Sequence, residues 1–157
     1  FSETSMALSH VAGVAALLKA YNPALDWKAI KNLILAGGDT VPGMANTITQ
    51  KRLNARGALS CTNSTVVSRI RPTGSRVSTS VGMPLKLAAL NINCANPNGN
   101  LSVVVNPGNQ VVRLLDNGAR FDQEGGDGVY SGQWTPATGG TYTITFPGGD
   151  VLTVDAL

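Results

Sequence analysis

The spacing of apolar residues changes once along this chain. From Met6 to Ala36 it is helical. Met6–Ala20 is apolar nearly all round, interrupted only by Ser9, His10 and Lys19. A helix with apolar residues on every face belongs inside a larger body rather than on the surface of a small domain. Tyr21-Asn22-Pro23 breaks the pattern. A second helix is predicted to begin at Asp26, a good N-cap, and to carry Trp27, Ile30, Leu33 and Ile34 on one face until Gly37-Gly38 stops it. From about Val66 the period drops to two. Strands are predicted at Val66–Arg71, Arg76–Val81, Leu85–Asn91, Leu101–Asn106, Gln110–Leu115, Gly128–Thr135, Gly140–Phe146 and Asp150–Val154. Turn signals separate them, among them Pro72-Thr73-Gly74, Pro97-Asn98-Gly99, Pro107-Gly108-Asn109 and Pro147-Gly148-Gly149. The expectation is an α+β chain with a helical part over residues 1–61 and an antiparallel β-sandwich over residues 62–157.

Composition narrows the picture only a little. The chain has 157 residues, 43% hydrophobic and 13% charged, with a net charge of +3. Arg69, Arg71 and Arg76 cluster, but without interleaved aromatics or a lysine run, so they read as a solvated strand face and no nucleic-acid partner is expected. No stretch reaches the roughly 18 consecutive apolar residues of a membrane span, so no membrane partner is expected either. Phe1 begins no signal peptide, and the expectation is that the chain has been cut from a longer precursor. Cys61 and Cys94 are the two cysteines. Their positions, one at the domain boundary and one just past a strand, suggest a disulfide tying the linker to the sandwich, with two buried free thiols as the alternative. A metal site needs more ligands than they offer.

Candidate chemistry concentrates at the start. Ser5 falls where the first helix begins, beside free backbone N–H groups and the positive end of the helix dipole. That place suits a nucleophile whose reaction builds an oxyanion. It suits an N-cap equally well, and spacing alone favours the cap. His10 invites pairing with Ser5, but five helical steps turn about 500° and climb about 7.5 Å. A general base must stand within roughly 3 Å of the proton it takes. His10 is therefore not the base, and it is the chain's single histidine.

The run Ser2-Glu3-Thr4-Ser5-Met6-Ala7-Leu8-Ser9-His10-Val11-Ala12-Gly13 resembles the nucleophile motif of the subtilisin-like serine proteases, S-G-T-S-M-A-x-P-H-V-A-G. The apolar helix, the Asn22-Pro23 turn, the second helix and Arg52-Leu53-Asn54-Ala55 before Ala58-Leu59 are similar to the closing elements of that family's catalytic domain. The resemblance covers about residues 1–60. It implies that Ser5 is the nucleophile of a secreted endopeptidase acting on protein or peptide substrates without a cofactor. It implies that the Ser5 backbone N–H supplies half of the oxyanion hole, and that His10 is structural. The family's aspartate, histidine and oxyanion asparagine all precede the serine, so the fragment alone is expected to be inactive. Glu3 and Ser9 stand where the family has glycine and proline. A side chain at Glu3 alters a tight turn beside the cleft, which leaves open whether the parent is an active enzyme or a pseudoprotease.

The β half carries a second stretch, Leu114–Gly132, containing Leu115-Asp116-Asn117-Gly118 and Gly126-Asp127-Gly128-Val129-Tyr130-Ser131. It resembles a loop of immunoglobulin-like accessory domains in secreted bacterial proteins. Asp116, Asp122, Glu124 and Asp127 are weak candidates for calcium, because hard cations take six or more oxygen ligands and the spacing is not that of an EF-hand. The favoured expectation is an ordered turn whose carboxylates bond backbone N–H groups. Tyr130, Trp134 and Tyr142 are expected in the core. A substrate, cell-surface or calcium-binding sandwich, with residues 1–60 carried along, is the alternative function. The apolar Met6–Ala20 helix is expected to pack on the sandwich, to associate with another chain or to be poorly ordered, since each buried leucine or valine contributes roughly 1.5–3 kcal/mol.

Overall fold

The structure is a computed structural model that describes residues 4–157. Its elements, in chain order, are α1 (Thr4–Tyr21), α2 (Trp27–Ala36), β1 (Asp39–Thr40), β2 (Lys51–Arg52), α3 (Ala55–Leu59), β3 (Thr65–Arg71), β4 (Arg76–Thr79), β5 (Leu85–Asn93), β6 (Asn96–Pro97), β7 (Leu101–Asn106), β8 (Gln110–Leu114), β9 (Val129–Trp134), β10 (Gly140–Thr145) and β11 (Val151–Ala156). The chain is α+β, and it divides into two compact units. One holds Phe1–Val66 and Ile92–Pro97, the other Val67–Asn91 and Asn98–Leu157.

In the first unit, Asp26 caps α2 by accepting from the Ala29 N–H at 2.8 Å. α2 buries Leu33 and Ala36, while Trp27, on the expected apolar face, is exposed and lies near the ammonium groups of Lys28 and Lys31. A third α-helix, α3, joins the two that the sequence pattern predicts. Its five residues are too few to show a period, and Gly57 sits inside it, but the Asn54 side chain accepts from the Gly57 N–H at 2.9 Å and starts it. Val14 and Leu18 of α1, Leu33 of α2, Ala58 of α3 and Cys94 form the core of this unit. α1 is thus helical over Thr4–Tyr21 and anchored through Val14 and Leu18. Met6, Leu8, Val11, Leu17 and Tyr21 stay exposed, Leu8 at 67%.

The second unit is built on two sheets around one core. The five-stranded sheet runs β4-β11-β10-β7-β8, and β9 pairs antiparallel with Leu85–Leu90 of β5 in the other. Leu87, Ala89, Tyr130 and Trp134 meet Leu101, Val103, Val105, Ile144, Leu152 and Val154 in a single cluster, a packing that fits the expected β-sandwich. Alternation explains it directly: Leu101, Val103 and Val105 are buried while Ser102, Val104 and Asn106 are not. Tyr130 and Trp134 are buried, and Tyr142 packs edge-on to Trp134 at 4.9 Å between ring centroids. One expectation is corrected. The pairing is not wholly antiparallel, because β4 lies parallel to β11, with Val77 opposite Val154. Period-two patterning carries no information on strand direction, so the sequence could not disclose this.

Candidate functional site

Ser5 is the second residue of α1 and is exposed. Its N–H belongs to the first turn, whose donors have no intrahelical acceptor. His10 and Ser9 lie further along α1 and are also exposed. One helix carries both Ser5 and His10 without interruption, so the rise of about 1.5 Å per residue keeps the imidazole away from the serine hydroxyl. Glu3, the departure from glycine in the motif, lies outside the described residues.

Beyond this serine, α1 is held at Val14 and Leu18 by the two helices that follow it. Gly37 and Gly57 bring α2 and α3 together. A Cβ on Gly57 would stand 2.0 Å from the Gly37 carbonyl oxygen, and one on Gly37 would stand 2.5 Å from the Ala58 Cα. Lys51 donates from Nζ to the Ala36 carbonyl at 2.6 Å and to Ser64 Oγ at 3.1 Å, closing the end of α2 with a cation where the helix dipole is negative. Asn54, besides capping α3, donates to Asp39 at 2.7 Å. That bond and the Arg52 guanidinium hold the Asp39 carboxyl below its usual range. None of these partners shows a period in the sequence. Asn54 alone leaves a signal, as a capping residue three positions before Gly57.

Cys61 and Cys94 form a disulfide, with Cα atoms 5.7 Å apart. The expected role, tying a linker to the sandwich, is corrected in one respect: both cysteines belong to the first unit, because Ile92–Pro97 folds with the helices. There β6 pairs with the last two residues of β5, and Asn32 Nδ2 donates to the Ala95 carbonyl at 3.2 Å. Asn32 is fully buried and its Oδ1 has no hydrogen-bond partner.

The acidic loop of the second unit gathers Asp116, Asp122 and Asp127, with ligand-type oxygens within 4.8 Å of one another; Glu124 is not in that group. The first two carboxylates are occupied by the backbone. Asp116 accepts from Gly126, Asp127 and Gly128, and Asp122, 6% exposed, accepts from Asn117 and Gly118 at 2.6 Å each. Asp127 accepts from the Val129 N–H at 2.8 Å. This is the turn-forming use of aspartate. Burial, with the Asp116 charge second, pushes the nearby Tyr130 hydroxyl up; that hydroxyl donates to the Gly99 carbonyl at 2.7 Å.

The arginine cluster divides. Arg71 and Arg76 are exposed, and Arg76 pairs with Asp155 at 2.6 Å, which holds that carboxyl down. Arg69 is not a solvated residue. Its side chain is 12% exposed, pairs with Asp150 at 2.6 Å, donates to the Pro72 and Gly74 carbonyls and covers the Phe146 ring. It locks the turn after β3 in place.

Comparison with known proteins gives one family. A model of the subtilase family, peptidase S8, matches residues 1–52, from before Ser5 through α1 and α2 to the end of β2. No curated protein matches the chain. The first third of the chain is therefore a subtilase-like segment, and it points to a serine peptidase as the parent protein. Among the described residues, no helix is long and apolar enough to cross a membrane.

Proposed function

We propose that this chain is part of a secreted subtilisin-like serine endopeptidase in which Ser5 is the nucleophile. The observation that carries the reading is the subtilase match over residues 1–52, which spans Ser5 and the helix that Ser5 opens. In the reaction, Ser5 Oγ attacks the peptide carbonyl and gives its proton to a histidine base. The tetrahedral oxyanion is met by the Ser5 N–H at the first turn of α1. Collapse releases the amine product and leaves an acyl-enzyme, which water hydrolyses. The base comes from outside these residues, since the chain has one histidine and it sits on Ser5's own helix. The 157-residue chain alone is then inactive.

The second unit, Val67–Asn91 with Asn98–Leu157, acts as an immunoglobulin-like accessory domain. The disulfide suits an extracytoplasmic setting, where such bonds persist. Met6, Leu8, Val11 and Leu17 of α1 offer the apolar surface through which the chain associates with the remainder of the enzyme or with a second copy. The test is labelling of the parent enzyme with a fluorophosphonate. Adduct on the peptide containing Ser5, lost after prior denaturation, is the expected result. Adduct elsewhere with Ser5 untouched would remove the assignment.

A further inference from the structure

Two cavities flank Phe121 on the second unit, and they differ in charge. One, of about 350 Å³, is lined by basic Arg71 and Lys86 and by acidic Asp122, Glu124 and Asp127. The other, of about 510 Å³, is lined by Arg113 and Arg120 and by no acidic residue. Its apolar walls are Leu115 and Phe121, which are 42% and 40% exposed, and Asn117 and Gln133 add polar groups. The site is built on paired backbone. Leu115 N–H donates to the Ser131 carbonyl at 2.9 Å and Ser131 N–H returns a bond at 2.8 Å, which fixes the strand after β8 against β9. Arg113 donates one bond to Asn100 Oδ1 at 3.0 Å, leaving further N–H groups of its fork. Arg120 is held in the left-handed region at φ 60° by the turn that Asp122 organises.

Two arginines and no acidic residue line this cavity, and planar guanidinium matches carboxylate geometry. Two exposed apolar side chains in the same cavity favour a ligand with an apolar part. We propose that this cavity binds an organic carboxylate carrying an apolar group, seated with its carboxylate between Arg113 and Arg120 and its apolar group against Leu115 and Phe121. A peptide C-terminus and a short fatty acid share that chemistry. The proposal is independent of the protease reading.

The test is an amide-resolved NMR titration of the 157-residue chain with N-acetylleucine, N-acetylleucinamide and hexanoate. Saturable shifts at Leu115, Phe121 and Ser131 with N-acetylleucine but not with its amide are expected. The Arg113→Gln, Arg120→Gln double variant, whose spectrum also reports that the fold is kept, should weaken binding about tenfold or more. Hexanoate binding as tightly as N-acetylleucine assigns the site to simple alkyl carboxylates; weaker hexanoate binding assigns it to peptide termini. Equal shifts with the amide, no saturable shift, or unchanged affinity in the double variant would overturn the proposal.

Discussion

Gly57 approaches Gly37 so closely that a Cβ on Gly57 would lie 2.0 Å from the Gly37 carbonyl oxygen. The obstacle is backbone, which cannot swing aside as a side chain can. Gly57→Ala should therefore push α3 off α2 and cost about 1–3 kcal/mol, as overpacking does. Gly13 is the control, since it is interior to α1 and nothing lies within 4 Å of its added Cβ. Gly13→Ala should stabilise by about 0.5–1 kcal/mol through helix propensity. Urea unfolding followed by circular dichroism reads both signs, and a neutral Gly57→Ala would contradict the close-contact argument.

The disulfide lies within the helical unit, so its loss should be felt there. Cys61→Ser is expected to destabilise by about 2–4 kcal/mol. Hydrogen exchange should show faster exchange in α1–α3 while Val103, Ile144 and Leu152 of the sandwich keep their protection. Equal loss of protection in both units would show instead that they unfold as one.

Acid should weaken two exposed ion pairs. Asp155, bonded by Arg76 and Thr141, and Asp39, bonded by Asn54 and Arg52, both have carboxyls held below the ordinary 3.8. A carboxyl depressed in the folded state contributes stability that is full above its unfolded value and is lost as pH falls through the folded one. Thermal melts taken from neutral to strongly acid pH should fall less steeply for Asp155→Asn than for wild type. About 1 M salt should shrink the difference, because both pairs are exposed.

The acidic loop should be indifferent to calcium. Asp116 and Asp122 already accept five backbone N–H bonds between them. The melting temperature should be unchanged by calcium or chelator, whereas Asp122→Ala, which orphans two N–H donors, should cost about 1–3 kcal/mol. A calcium-induced rise in melting temperature would favour the cation reading of Asp116, Asp122 and Asp127.

What the sequence disclosed, and what it hid, follows from the range of each interaction. Period-two alternation located β7 and β11 because each half-buried strand writes its burial into consecutive residues. Asp26 was legible as a cap because capping is local. Trp27 was misleading: its spacing matches the buried face, yet it ends up exposed at the first position of α2. Arg69 and Asp150 lie 81 residues apart, and no local pattern announces that pairing. The same holds for the parallel β4–β11 register and for Ile92–Pro97 folding with the helices. At the candidate site, the Ser5 motif was legible because it is a short contiguous run of residues. The cavity between Arg113 and Arg120 was not, since Gln133 and Ser131 reach it from another strand.

The most direct measurement is casein hydrolysis by the parent enzyme, by its Ser5→Ala variant and by the isolated 157-residue chain. Hydrolysis by the parent, its abolition by Ser5→Ala and none from the isolated chain is the expected pattern. Parent activity that survives Ser5→Ala, or Ser5-dependent hydrolysis by the isolated chain, would contradict the assignment of Ser5 as a nucleophile whose base lies outside these residues.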